Sequence, residues 1–151
     1  MSLHAIEGGC ECGANSYQVV EQPITRFKCH CKICQAYTQK PFSDVMVFLR
    51  KDVKNIRIKY NTFKRYRKPP NIRRGTCTKC NKPTIEYGVL GQLVFIPASN
   101  LKDQHQSLIP ASMHVFYDSR VEDIPDQLPK YEGYLRSHLA IGVAAAQHFK
   151  K

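Results

Sequence analysis

The sequence predicts a mainly β protein whose fold is held together by metal. Two observations favour this class. Short apolar runs rich in β-branched and aromatic residues recur along the chain, and only the last segment has helical spacing. The 7 cysteines are concentrated in groups at C-x-C and C-x-x-C spacing. These spacings are typical of metal ligands, because a short loop brings two sulfurs together at little entropic cost.

Seven segments have the composition or alternation of strands. They are residues 15–20, 44–49, 56–60, 63–67, 84–87, 93–96 and 113–117. Residues 44–49 form the most apolar of these runs and are expected to be a core strand. The segments 56–60 and 63–67 are expected to pair as a hairpin around Asn61 and Thr62, and the segments 84–87 and 93–96 as a second hairpin.

The C-terminal tail, residues 137–150, predicts the one helix. Ser137 is an N-cap candidate, and Ile141, Ala145 and Phe149 repeat every four residues. Gly142 weakens this helix by about 1 kcal/mol relative to alanine. Since no linker or internal repeat divides the 151 residues, we expect a single domain over residues 1–151.

The compartment bears on the chemistry of the cysteines. No apolar run reaches 18 residues, and the first seven residues lack the basic and apolar regions of a secretory signal, so the sequence predicts a cytoplasmic protein without membrane contact. Paired cysteines in a reducing compartment are more often metal ligands than disulfides. The alternatives are a disulfide-bonded secreted domain and inert buried thiols, but seven cysteines would leave one thiol unpaired in a disulfide framework.

The densest cysteine group predicts a reactive metal site. Cys29, Cys31 and Cys34 place three sulfurs within six residues. Three thiolates leave the fourth position of a tetrahedral zinc ion open, and an open position distinguishes a catalytic zinc from a structural one. The alternative is that this site is also structural and is completed by a histidine or another protein group. His30 is a poor candidate, because in an extended C-x-C segment its ring points away from both sulfurs.

The remaining four cysteines predict a second, closed site. Cys10 and Cys12 form a C-x-C pair, and Cys77 and Cys80 form a C-x-x-C pair. Neither pair satisfies zinc alone, but the two together provide four thiolates. The expected division is therefore four structural ligands and three catalytic ones.

A strong positive charge favours an alternative function. The formal net charge is +11, which indicates an anionic ligand or partner. Residues 63–68 interleave aromatic with basic side chains, a pattern suited to phosphate contacts and base stacking. A basic zinc module that binds nucleic acid without catalysis is therefore the second hypothesis, and a solvated basic hairpin explains the same segment.

The cysteine framework resembles the glutathione-dependent formaldehyde-activating enzyme family, which also includes centromere protein V. The matching segments are residues 9–13 with Tyr17, residues 29–34, residues 77–80, residues 114–120 and residues 124–129. The likeness covers about residues 6–134. It departs from the family pattern at Asn81, where a glycine is usual, at Thr76, where an aromatic is usual, and in residues 35–40, which lack a common glycine.

The resemblance implies a β-tent fold of small antiparallel sheets with two zinc ions per chain. It implies that Cys10, Cys12, Cys77 and Cys80 hold the structural zinc, and that Cys29, Cys31 and Cys34 hold the catalytic zinc. The implied activity is that of a carbon–sulfur lyase, with a small thiol such as glutathione and a small aldehyde such as formaldehyde as partners and S-hydroxymethylglutathione as the adduct. Candidates for proton transfer are Asp44, Glu86, Asp118 and Tyr117, and Lys28 and Lys32 are candidates for contact with substrate carboxylates.

Overall fold

The mainly β class predicted from the sequence is confirmed. The structure, a computed structural model, describes residues 4–67, 72–88, 90–102 and 107–150. These ranges contain ten strands and two α-helices. The strands are β1 (Ile6–Gly9), β2 (Ser16–Val19), β3 (Thr25–Cys29), β4 (Ser43–Leu49), β5 (Val53–Arg57), β6 (Asn61–Arg65), β7 (Arg73–Cys77), β8 (Pro83–Gly88), β9 (Leu93–Pro97) and β10 (His114–Val115). The helices are α1 (Lys32–Thr38) and α2 (Tyr134–His148).

The strands form two sheets of unequal size. A three-stranded antiparallel sheet has the order β1-β2-β5. A seven-stranded sheet has the order β10-β3-β4-β9-β8-β7-β6, and its only parallel pair among the described strands is β10 with β3. The antiparallel pairing expected from the resemblance is found in the smaller sheet and in the other five strand pairs of the larger sheet. None of the described helices is long and apolar enough to cross a membrane.

Strand β4 contributes side chains to two separate hydrophobic clusters, one on each face of the large sheet. Successive side chains of a strand point to opposite faces. Met46 and Phe48 pack between the two sheets, while Val45 and Val47 face the other side of the large sheet. A strand covered on both faces is continuously apolar rather than alternating, as residues 45–49 are.

Helix α2 covers the second face of the large sheet. Ala140, Ile141, Ala144 and Ala145 pack against the cluster that contains Val45 and Val47. The helix begins three residues before the predicted cap, and Gly133 occupies the N-cap position. Ser137 lies inside the helix, fully buried, and its hydroxyl accepts a hydrogen bond from the Phe116 amide at 2.8 Å. Its predicted capping role is wrong, because its oxygen joins the helix to the chain after β10.

The predicted hairpin around Asn61 and Thr62 is also wrong. β5 pairs with β2 in the small sheet, whereas β6 pairs with β7 in the large sheet. The chain therefore crosses between the sheets at residues 58–60 instead of turning back on itself. The hairpin of β8 and β9 is confirmed by their antiparallel pairing. The strand predicted at 113–117 is limited to β10, because Phe116 adopts a left-handed conformation with φ of 53°.

Candidate metal centres

The four cysteines of the predicted closed site are brought together by two separate turns. The sulfurs of Cys10, Cys12, Cys77 and Cys80 all lie within 4.8 Å of one another. The Cys10–Cys12 and Cys12–Cys77 sulfur distances are both 3.7 Å. Each of these cysteines is free, so the sulfurs cluster without disulfide bonds.

Asn15 fixes the first pair of sulfurs against the rest of the chain. Its backbone amide and its Nδ2 group point at Cys10 Sγ, at 3.4 and 3.6 Å. The same side chain also bonds both backbone groups of Tyr60, at 2.9 and 3.1 Å. The turn before Asn15 needs glycine at Gly9, where a Cβ would lie 2.1 Å from the Asn15 carbonyl oxygen. This buried asparagine therefore links the first cysteine loop to the crossover between the sheets.

The other three sulfurs lie at the start of α1. Cys29 ends β3, Cys31 is the N-cap of α1, and Cys34 lies in its first turn. Their sulfurs also lie within 4.8 Å of one another, and Cys29 and Cys31 are 3.4 Å apart. No histidine nitrogen or carboxylate oxygen of the described residues joins this group. The sequence analysis missed α1, because seven residues are too few for a helical period to be recognised.

Hydrogen bonding makes Cys31 the most acidic of the three. The thiol of Cys29 donates to Cys31 Sγ and, with help from the Cys34 amide at 3.3 Å, lowers the pKa of Cys31 to about 2. The hydrogen bond to Cys31 raises the pKa of Cys29, and the hydrogen bond to Cys29 raises that of Cys34. A bound cation would favour the thiolate form of all three sulfurs.

Both groups fit zinc by their donor chemistry. A zinc–sulfur bond of about 2.3 Å gives a tetrahedron with sulfur–sulfur edges of about 3.8 Å. The 3.7 Å separations in the four-cysteine group match this value, and the 3.4 Å separation of Cys29 and Cys31 is slightly shorter. Backbone amides donate hydrogen bonds to the sulfurs of Cys10, Cys31 and Cys77, and such bonds orient and stabilise the thiolates that bind a metal ion. The residues can therefore hold one metal ion in each group.

The model of one protein family, the glutathione-dependent formaldehyde-activating enzymes, matches residues 5–119. This match covers most of the chain and contains both cysteine groups. The chain belongs to this family. The resemblance seen in the sequence is thereby confirmed. No curated protein is similar enough to count as a match.

One departure from the family pattern has a simple structural explanation. Asn81, where the family usually has glycine, adopts a left-handed conformation with φ of 60°. Its amide donates to the Cys77 carbonyl at 3.0 Å and closes the turn that holds Cys77 and Cys80. Asparagine tolerates this conformation better than other residues with a Cβ. The turn is therefore preserved without glycine.

Two buried histidines and a half-buried aspartate form a chain of hydrogen bonds next to the three-cysteine group. His30 Nε2 lies 2.8 Å from His114 Nδ1, and His114 Nε2 lies 2.8 Å from Asp126 Oδ2. Because the carboxylate only accepts, His114 donates from Nε2 and His30 donates from Nε2 in turn. Burial, aided by His114, lowers the pKa of His30 to about 4 and keeps it neutral. The ring of His30 is thus committed away from the sulfurs, as the C-x-C alternation predicts.

We expect His114→Leu to destabilise the fold by about 1–3 kcal/mol, because it leaves a buried donor of His30 unpaired. Urea unfolding of both proteins measures this free energy. His4→Leu, the same change at an exposed histidine, is the matched control. Equal unfolding midpoints for the two variants would contradict a stabilising role for the chain of hydrogen bonds.

A buried ion pair lies on the other side of the three-cysteine group. Arg74 on β7 and Glu86 on β8 are directly opposite in the sheet, and Arg74 Nε lies 3.1 Å from Glu86 Oε1. Burial lowers the pKa of the Arg74 guanidinium, but the nearby Glu86 carboxylate and the sulfurs of Cys34 and Cys31 outweigh it, so that the pKa is raised. Burial raises the pKa of Glu86 to about 7, although Arg74 opposes the shift. Arg74 was not predicted as a site residue, because nothing in the sequence distinguishes it from its neighbour Arg73.

The other proton-transfer candidates have structural partners. Asp44 forms a two-point ion pair with Arg26, at 2.9 and 2.8 Å. Tyr117 bonds Asp123 and the Ile124 amide, and Asp118 accepts from the Gly133 amide. Of the four candidates, Glu86 is the one that the charge of the three-cysteine group reaches. The two lysines proposed for substrate contact have different surroundings. Lys28 Nζ lies 3.9 Å from Asp126 Oδ2, whereas Lys32 is exposed to solvent.

Proposed function

We propose that this chain is a zinc-dependent carbon–sulfur lyase that acts on a small thiol adduct of the S-hydroxymethylglutathione type. One observation carries the proposal: among the described residues, Cys29, Cys31 and Cys34 form a group that offers a metal ion only three ligand atoms. Membership of a family named for glutathione-dependent formaldehyde activation supports the same conclusion. We further infer that residues 1–151 are one domain with the family's β-tent arrangement.

The two cysteine groups have different roles in this proposal, one structural and one catalytic. Cys10, Cys12, Cys77 and Cys80 are the structural ligands of one zinc ion, since four sulfurs leave no position open. Cys29, Cys31 and Cys34 are the ligands of a second, catalytic zinc ion. That zinc, when bound, supplies a Lewis acid with one open position where a thiol sulfur is held in its thiolate form. A reducing compartment such as the cytoplasm suits seven free thiols.

The surroundings of the three cysteines position them for this role. Cys29 and Cys34 are buried with Val115 and Met113 in the apolar cluster, which limits access of water to their sulfurs. Tyr37 of α1 donates to the Gly75 carbonyl at 2.6 Å and ties the helix to β7. The helix that holds two of the ligands is therefore fixed against the strand that carries Arg74.

The proposal is tested by measuring exchange between free formaldehyde and S-hydroxymethylglutathione by magnetization-transfer NMR. We expect the zinc-loaded protein to accelerate the interconversion above the spontaneous rate, and a chelator that removes zinc to abolish the acceleration. Unchanged exchange in protein that carries two zinc ions per chain would overturn the lyase proposal.

A second candidate function is the binding of single-stranded nucleic acid. β6 is the edge strand of the large sheet, and Thr62–Arg65, its last four residues, are exposed. Cations lie against aromatic rings there, with Arg73 5.1 Å from the Phe63 ring and Lys64 4.7 Å from the Tyr66 ring. This surface suits phosphate contacts and stacking. Lys68, the last residue of the predicted basic segment, lies outside the described residues.

This candidate is tested by anisotropy of a labelled oligonucleotide at different salt concentrations. Binding through several phosphates should weaken by orders of magnitude between about 50 and 200 mM salt. Lys64→Ala should weaken binding more than Lys54→Ala, a matched change on the exposed part of β5. Binding that is absent at low salt, or equal in the two variants, would reject this surface.

A further inference from the structure

Arg74 has hydrogen-bonding capacity that the protein does not use. Its side chain is buried, and Nη1 finds no hydrogen-bond partner among the described residues. Nε lies 3.1 Å from Glu86 Oε1 but without the alignment of a hydrogen bond. A buried N–H without an acceptor costs about 1–3 kcal/mol, and more in a charged group. Such a group at the edge of a metal-binding site indicates that a guest molecule provides the acceptor.

The local structure directs Arg74 towards the three-cysteine group. The β7–β8 register shifts between Arg74 and Thr76, and such a bulge re-aims the neighbouring side chains. The guanidinium carbon lies 5.7 Å from the centre of the Tyr66 ring, and the sulfur of Cys34 is near enough to help raise the pKa of Arg74. Glu86, Cys34 and Tyr66 therefore lie around the guanidinium, but none of them accepts a hydrogen bond from Nη1.

We propose that Arg74 is a catalytic residue, whose Nη1 donates a hydrogen bond to the oxygen on the reacting carbon of the adduct. This proposal rests on the lyase function proposed above. In the forward direction, the thiolate sulfur forms a bond to the aldehyde carbon, and the π pair of the carbonyl moves onto oxygen. That oxygen then takes up the proton that the thiol released, so the product is the neutral hydroxymethyl thioether. Arg74 keeps its proton and stabilises the developing oxyanion.

Glu86 is a positioning residue in this proposal. Its carboxylate faces the guanidinium from the opposite strand and keeps the planar group in one orientation. The pair also explains why a cation is tolerated beside Cys34 in a buried site. Lysine cannot replace Arg74 fully. The guanidinium presents several N–H donors in a fixed planar geometry, and a single ammonium cannot face Glu86, Cys34 and a guest oxygen in the same way.

The first test compares Arg74→Gln with Arg73→Gln in zinc-loaded protein. Arg73 directly precedes Arg74 in the same strand. Its guanidinium lies against the Phe63 and Tyr87 rings and not beside the three-cysteine group. We expect Arg74→Gln to lower kcat by about 100-fold or more, as loss of an oxyanion donor does. The KM for glutathione should change little, and Arg74→Lys should recover part of the rate. Arg73→Gln should match the wild type.

The second test measures binding instead of turnover. Calorimetry compares S-carboxymethylglutathione, whose carboxylate oxygens lie one bond farther from sulfur than the oxygen of the adduct, with S-ethylglutathione, which has a methyl group in place of the carboxylate. The wild type and Arg73→Gln should prefer the carboxymethyl compound, and Arg74→Gln should lose that preference. The double variant Arg74→Gln with Glu86→Gln leaves no unpaired buried charge and provides a folded test protein if the single variant unfolds.

The outcomes separate this proposal from the one on which it rests. A wild type without turnover overturns the lyase function and Arg74's role together. A wild type with turnover, whose Arg74→Gln variant retains both the rate and the ligand preference, overturns the role of Arg74 alone. Loss of both in Arg74→Gln and in the folded double variant, with Arg73→Gln unaffected, supports it.

Discussion

Replacing Cys77 with serine is expected to leave the protein largely unfolded. Cys77 is almost fully buried, and its sulfur accepts bonds from the amides of Lys79 and Cys80, at 3.3 and 3.4 Å. In the proposed structural site it ties the first cysteine loop to the turn after β7. A structural zinc contributes on the order of 10 kcal/mol in small domains, which is comparable with the whole stability of a typical domain. Circular dichroism and urea unfolding measure the loss.

The control for this prediction is Thr78→Ser, a conservative change at the exposed neighbour of Cys77. It should unfold at the same urea concentration as the wild type and retain two zinc ions per chain. A Cys77→Ser protein that unfolds like this control would show that the four-cysteine group does not support the fold.

Replacing Cys31 with serine is expected to abolish turnover while the fold is retained. Cys31 is the N-cap of α1, and its side chain accepts from the Cys34 amide. Serine is among the best N-cap residues, so its hydroxyl can take over that bond. A serine hydroxyl is a much poorer zinc ligand than a thiolate. Zinc per chain should therefore fall from two towards one, and catalysed formaldehyde exchange should fall to the spontaneous rate.

Ala36→Ser is the matched control, because it introduces the same side chain at an exposed position of α1. It should keep both zinc ions and full turnover. The division between the two groups would be contradicted if Cys31→Ser were as unstable as Cys77→Ser, or if it turned over like the Ala36→Ser control.

The elements predicted correctly were those whose local pattern matches their burial. β2 and β4 and the β8–β9 hairpin follow apolar alternation or runs, and the tail forms a helix. The hairpin prediction failed at residues 56–67, because alternation reports which face is buried but not which strand is the partner. In this segment the Asn15 side chain forms two hydrogen bonds with the backbone of Tyr60, and the chain continues from the small sheet into the large one. No local pattern encodes a contact between residues 45 positions apart.

Cysteine spacing was sufficient to predict which cysteines of the candidate site group together. The grouping of four and three sulfurs is present in the structure, while the metal ions and the roles of the two groups stay predictions. Arg74, Glu86 and His114 could not be assigned in the same way, because strand pairing alone brings them to the three-cysteine group. Arg73 and Arg74 are identical in sequence terms, but one stacks on surface rings and the other faces Glu86 in the interior.

The central claim is that one metal centre is saturated by protein sulfur and the other is one ligand short. A crystal structure of the zinc-loaded protein with glutathione tests it most directly. We predict a glutathione sulfur about 2.3 Å from the ion held by Cys29, Cys31 and Cys34, and only protein sulfur around the other ion. Two ions that are both enclosed by protein side chains, with glutathione bound to neither, would contradict the claim.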